Sequence, residues 1–248
     1  MGKENFQIVT TSSEAYFNRN CVQLVKSADK FYRSQILVYS EDEISINLSN
    51  MTVKDFQRRD EILSFIHAFR QRYNSKLDYM HYAQRMDIWI FKIAAIAQFL
   101  NDDIDNDLLF LDADSVFISP HAPNIIKKFL EPARDYDLGI FRRTKTFLHP
   151  ETGFLFVKNL AKNKKVFGEL LNDVLSWKFL ELPSWTDDSL IDDAIIKGKF
   201  RALDFCEFYN LKSENPIYES ELQKVYLHLK GKRKGKYSRV KHIAGKYR

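Results

Sequence analysis

The sequence predicts an α/β domain, a single mainly parallel Rossmann-like sheet flanked by helices. Three observations carry that prediction. The chain opens on a strand–helix–strand pattern, its most apolar strand ends in two carboxylates, and helices with apolar residues on a helical repeat lie between its strands. Its 248 residues, 45% hydrophobic and 29% charged, suffice for a large core and exclude a mostly disordered chain. With 8 Gly and 6 Pro it is neither collagen-like nor linker-rich.

Each element has its own reason. Phe6 to Val9 is a β-type run, and Thr10-Thr11-Ser12-Ser13 behind it is a cluster of helix-capping hydroxyls. Glu14 to Lys30 fits a helix, and Gln35 to Tyr39 a second buried strand. Residues 41–80 are polar and irregular, which predicts a mobile insertion holding a helix around Asp60 to Tyr73. Arg85 to Leu100 should pack on the sheet as a helix. Beyond the acidic loop Asn101 to Asp107, the strongest strand is Leu108-Leu109-Phe110-Leu111. Gly153 to Val157 adds a strand and Lys162 to Phe179 a helix. There is no internal repeat, so residues 1–235 read as one domain and 236–248 as a tail.

The longest apolar run, Ile88 to Leu100, is interrupted by Lys92 and Gln98 and is too short to span a bilayer. No apolar secretion signal opens the chain, and two cysteines make no disulfide framework, so a soluble cytoplasmic protein is expected. Charge is uneven. Nine of the 38 Lys and Arg fall within residues 230–248, which contain no acid; the remaining 29 face 33 Asp and Glu, a net of −4. Such a tail is either a solubilising terminus or a partner for phosphates, whether of nucleotide, nucleic acid or membrane surface.

The run Leu108 to Val116 is the centre of the functional reading. Positions two apart in extended backbone point the same way, so Asp112 and Asp114 can converge where the strand leaves the sheet. Open α/β sheets bind ligands at that end, and paired carboxylates call for Mg²⁺ or Mn²⁺ with phosphate oxygens completing the shell. A solvated Asp-rich turn is the plainer alternative.

Two families share this arrangement. Asp112-Ala113-Asp114-Ser115-Val116 is similar to the nucleophile motif of haloacid-dehalogenase-like phosphatases, but that strand usually opens the catalytic domain, and here some 100 residues precede it. The sequence more fully resembles GT-A fold glycosyltransferases of the glycogenin-like, Asp-x-Asp type. Ile8-Val9-Thr10-Thr11 with Tyr16 resembles their first strand and nucleotide loop; Arg85-Met86-Asp87 and Phe91-Lys92-Ile93 resemble the helix before the metal strand. Glu151 to Phe156 resembles the strand lining the sugar pocket, Trp185-Thr186-Asp187-Asp188 the acidic segment reaching the sugar, and His228-Leu229-Lys230-Gly231-Lys232-Arg233-Lys234 their His-x-x-Gly-x-x-Lys pattern. The Pro-Trp expected after Lys234 is replaced by Gly235-Lys236.

The resemblance implies a donor nucleotide-sugar, most commonly a UDP-sugar, and a Mn²⁺ or Mg²⁺ ion. It implies Asp112, Asp114 and His228 on the metal, with Asp112 alternatively on the donor ribose. Thr10, Thr11, Tyr16, Arg85, Asp87, Lys92 and Ala113 would lie along the donor, and Gly231 and Lys234 at the diphosphate. Asp187 and Asp188, with Glu151 behind them, are the catalytic candidates, as general base or as stabilisers of an oxocarbenium-like centre. Thr186 as a helix cap, with acids in the first turn, accounts for the same pair structurally. The acceptor is either a saccharide, lipid or protein, or a modified base in nucleic acid held by the tail, and peripheral contact with an anionic membrane is a further use of those cations. A non-catalytic nucleic-acid binder with a basic arm is the rival class; it would leave the acidic constellation idle.

Overall fold

The computed structural model describes residues 6–46, 48–74, 82–103, 105–142, 150–212 and 215–229. The opening strand–helix–strand unit is present: β1 (Phe6–Ser12) pairs in parallel with β2 (Ile36–Ser40), which pairs in parallel with β3 (Met51–Asp55). On its other side β1 pairs in parallel with β4 (Asp107–Leu111). Among the described residues the sheet has seven strands in the order β3-β2-β1-β4-β7-β6-β8, with β6 (Leu138–Arg142), β7 (Pro150–Val157) and β8 (Ala202–Asp204) completing it. Of these seven, β7 runs against its neighbours. The strand that delivers Asp112 and Asp114 is therefore the central one, buried on both faces, which explains why Leu108 to Leu111 is apolar without alternation.

Strand alternation divides the core in two. Val9, Leu37, Tyr39, Leu108, Phe110 and Leu155 face one side. There they meet α3 (Arg59–Tyr73), α4 (Met86–Asp102), α6 (Ala161–Leu175) and α7 (Asp187–Ile196). Ile8, Val38, Leu109, Leu111, Phe154 and Phe156 face the other, under residues 14–33 and α5 (Ala122–Leu130).

Three elements depart from expectation. The first helix is broken into α1 (Glu14–Tyr16), a wide π turn at Phe17–Cys21, α2 (Val22–Ser27) and a second π turn at Ala28–Tyr32, closed by Arg33 at φ 56°. Across these turns Phe17, Cys21, Val25 and Tyr32 all stay inward. The helix expected to end at Phe179 stops at Leu175, because Trp177 takes the left-handed conformation at φ 65°. And α3, expected within a mobile insertion, buries Ile62, Phe65, Ile66 and Phe69 against α4 and α6, so it belongs to the core. Among the described residues, no helix is long and apolar enough to cross a membrane.

A two-stranded antiparallel ribbon joins β5 (Ser115–Phe117) to β9 (Tyr226–His228). Its register sets Ser115 opposite His228, and the Leu229 amide donates to the Asp114 carbonyl at 2.9 Å. Chain from near the end of the described structure is thereby brought to the end of β4.

Candidate active site

Three segments meet at the carboxyl end of β4. Asp112 leaves the strand with its amide donating to the Gly153 carbonyl at 3.0 Å, and a tight turn follows in which the Ser115 amide donates to the Asp112 carbonyl at 3.0 Å. Because β7 is antiparallel, its first residues, Glu151, Thr152 and Gly153, lie where β4 ends. The ribbon supplies the third segment. His228 Nε2 lies 3.1 Å from Asp112 Oδ2 and 3.1 Å from Asp114 Oδ1, while Nδ1 lies 4.0 Å from Glu151 Oε1. Ligand atoms of Asp112, Glu151 and His228 all fall within 4.8 Å of one another. His228 and Asp114 are buried, and Asp112 is partly open to solvent.

The site has no room for a side chain at position 153. A Cβ there would come 2.3 Å from His228 Cε1, 2.6 Å from Asp112 Oδ2 and 2.9 Å from Glu151 Oε1. Glycine is required by close approach. The Gly153 amide donates to Glu151 Oε1 at 3.0 Å, which turns that carboxylate back toward the imidazole. Beneath them, the Tyr226 hydroxyl donates to the Gly153 carbonyl at 3.2 Å and is 2.6 Å from Ser115 Oγ. Burial holds the Tyr226 phenol well above its ordinary range, so it remains a donor.

Beside this cluster is a buried charge network. Lys92 Nζ, reaching in from α4, is 2.9 Å from Asp112 Oδ1 and 2.9 Å from Asp187 Oδ2. It also donates to Thr152 Oγ1 at 3.1 Å, and Thr152 Oγ1 donates to Asp187 Oδ2 at 2.6 Å. Burial alone would push the ammonium's pKa down, but Asp112 and Asp187 outweigh it and hold Lys92 above its ordinary value.

The residues expected in the site fall into distinct groups. Asp112, Asp114, Glu151, His228, Lys92 and Asp187 come together, with Ala113 buried in the turn. Lys92, expected along the donor, sits between two carboxylates. Asp188 is turned into its own helix: its carboxylate accepts from the Ser189 amide at 2.9 Å and from the Thr186 hydroxyl, and Thr186 caps α7. Arg85 and Asp87 form a forked pair, with Nε and Nη2 of Arg85 each 2.8 Å from an Asp87 oxygen and Arg70 Nε 3.0 Å away. Burial raises the Asp87 carboxyl, yet Arg85 and then Arg70 outweigh that and hold it below its ordinary value. Thr10 is buried in β1 and Thr11 half-buried, just beyond the last paired position of β1 and β4, Val9 opposite Phe110. Tyr16 is half-buried against the core beneath residues 14–33. Gly231 and Lys234, like the tail, lie outside the described residues. Thr152, Ser115 and Tyr226 are contributors that composition and spacing did not single out. Gly153 was visible only as part of a strand.

No protein-family model matches the chain, and no curated protein matches it significantly. Solved glycosyltransferases are similar to it in fold. The galactosyltransferase LgtC, solved with donor and acceptor sugar analogues, is 13% identical at a TM-score of 0.47, over 86% of this chain and 82% of that one. GlyE of Streptococcus pneumoniae TIGR4 is 12% identical at 0.49, over 92% of this chain and 55% of that one. Core-mannan synthase A of Aspergillus fumigatus, in a Mn/GDP form, is 7% identical at 0.47, over 78% and 70%. Likenesses this distant concern the fold alone.

Proposed function

We propose that the chain is a metal-dependent glycosyltransferase, moving a sugar from a nucleotide-sugar donor to an acceptor hydroxyl. One observation carries this reading: Asp112, Asp114 and His228, 116 positions apart at the extremes, converge at the carboxyl end of the central strand around a glycine that leaves them room. Two carboxylates and an imidazole are a donor set suited to Mn²⁺ and acceptable to Mg²⁺. The cradle that a Cβ at Gly153 would fill supports that fit. Asp112, Asp114 and His228 would hold the ion, with Glu151 within reach. When bound, it would act as a Lewis acid, offsetting charge on the departing diphosphate.

The chain's own groups divide the remaining work. Lys92 fixes one oxygen each of Asp112 and Asp187, so the metal carboxylate and the candidate catalytic carboxylate keep a set spacing. Asp187 is the group proposed to orient the sugar hydroxyls, steadied by Thr152. Asp188 supports the entry to α7, and Asp87 braces the start of α4 through Arg85 and Arg70. By the resemblance the donor would be a UDP-sugar, Lys234 would meet its diphosphate, and the acceptor would be a saccharide, lipid or protein, or a modified base in nucleic acid.

The test is thermal unfolding with UDP, GDP and other nucleoside diphosphates, each with and without Mn²⁺. A shift requiring both nucleotide and metal, abolished in Asp112→Asn/Asp114→Asn, is expected. No shift with any nucleotide, or one indifferent to that double change, would remove the proposal.

A further inference from the structure

We propose that the face formed by residues 14–33 and α5 is a docking surface for an anionic lipid bilayer. Over the opposite side of the sheet, most cations have acids beside them: Arg58 pairs with Glu61 at 2.6 Å, Lys178 with Asp173 at 3.0 Å, Lys197 with Asp193 at 2.7 Å and Lys199 with Glu169 at 3.2 Å, while Arg72 lies over the Tyr73 and Trp177 rings and Lys165 forms no ion pair among the described residues. On this face Arg19, Lys26, Lys30, Arg33, Lys127 and Lys128 are all exposed, and none of the six forms an ion pair among the described residues. The sequence offers them little to pair with. Residues 14–33 hold two acids, Glu14 and Asp29, and none occurs from Ile118 to Leu130.

The two groups of cations share one surface. α5 packs beside the Ala28–Tyr32 turn, and the Tyr32 and Phe117 rings are 5.0 Å apart at the seam. Apolar side chains lie between the charges. Ile118, directly after β5, is 37% exposed; Phe31 is half-buried with Lys30 Nζ 5.0 Å from its ring centroid; Ile125 is half-buried on α5. Phosphates of a nucleic acid would use the cations and leave those side chains idle. A bilayer uses both, since lysines and arginines meet anionic headgroups while short apolar side chains enter the interface. Ile118 is four residues from Asp114 along β5, a reach of about 13 Å. Docking would hold the carboxyl end of the sheet near the membrane surface. The docking itself does not depend on the glycosyltransferase reading.

The experiment is co-sedimentation of the full-length chain with phosphatidylcholine vesicles, with and without phosphatidylserine, alongside binding to a DNA duplex. Two variants are compared with the parent: Lys26→Glu/Lys30→Glu/Lys127→Glu/Lys128→Glu, and Ile118→Ser. All five side chains are exposed, so only a small fall in melting temperature is expected, from the loss of Lys127 and Lys128 in the last turn of α5. The parent should bind only phosphatidylserine vesicles, the charge reversal should weaken that binding at least about tenfold, and Ile118→Ser should weaken it about threefold while leaving DNA binding alone. If the charge reversal binds these vesicles as the parent does, the cations of residues 230–248 suffice and the proposal falls. If it loses DNA binding while Ile118→Ser leaves vesicle binding intact, the face is a nucleic-acid surface and the proposal falls equally.

Discussion

At the scale of single residues, Gly153 and Lys92 decide whether the site exists. A methyl at 153 cannot be absorbed by a flexible tail, because its nearest neighbours are an imidazole ring carbon and a carboxylate oxygen fixed by other contacts. Gly153→Ala should therefore displace His228 from Asp112, costing about 1–3 kcal/mol of stability and removing most Mn²⁺ affinity. Calorimetric titration of Mn²⁺ checks this, and parental affinity would show that the imidazole is not needed there. Lys92 differs in kind. Replacing it by Met removes the shared partner of Asp112 and Asp187 and leaves Asp187, 2% exposed, without its ammonium. Removing one side of such a buried pair costs about 3 kcal/mol, so chemical denaturation of Lys92→Met should show a loss of that order. An unchanged midpoint would mean that Thr152 alone suffices for Asp187.

At the scale of elements, the weak part is the β5–β9 ribbon. Two strands of three residues are not stable by themselves. They are held by side chains: the Tyr226 hydroxyl to Ser115 and Gly153, and the Tyr218 hydroxyl to the His228 carbonyl. Tyr226→Phe keeps the ring between Phe117 and Phe154 and deletes only the hydroxyl. It should cost about 1 kcal/mol and weaken Mn²⁺ binding severalfold, measured by titration, with the circular dichroism unchanged. Undiminished Mn²⁺ affinity would mean that the ribbon is positioned by its backbone alone. The same ribbon marks where the sequence stops being legible. β4 announces itself through local signals, an unbroken apolar run and two acids in strand register. β9 does not, because three residues carry no period and their pairing with β5 spans more than a hundred positions; His228 was reached only through a resemblance. The reversal of β7 was equally hidden, since an apolar strand buried on both faces reads the same in either direction. The two readings of Asp187 and Asp188 divided between neighbours, one carboxylate facing Lys92 and the other capping α7. Local spacing could not separate them, because the rotation of α7 is set by β7 and α4.

At the scale of the whole molecule, carboxylates shape the response to pH in opposite ways. Asp87 braces α4 against α3, and Asp137 receives Lys162 at 2.8 Å and the Arg201 amide at 2.7 Å; both carboxyls are held below their ordinary range. Their contribution is present above the unfolded value of 3.8 and is lost as pH falls through the lower folded value, so unfolding in acid is expected below about pH 4. Glu41, at the end of β2, runs the other way. Burial, then the nearby Asp42, push its carboxyl from 4.5 up to about 7. Between those values the unfolded chain has released its proton while the folded chain retains it. The stability Glu41 contributes is thus complete below 4.5, declines as pH rises and is gone above about 7. Glu41→Gln keeps a neutral group throughout, so at pH 4 it should melt with the parent and at pH 8 above it. Partial solvent access trims the difference to about 2 kcal/mol, or about 4–8 °C for a chain of this size. Melting curves of the two proteins from pH 4 to 9 decide the matter: diverging curves place a protonated Glu41 beside the ends of β1 and β2 at neutral pH, whereas parallel curves mean that its carboxyl reaches water and titrates as in the unfolded chain.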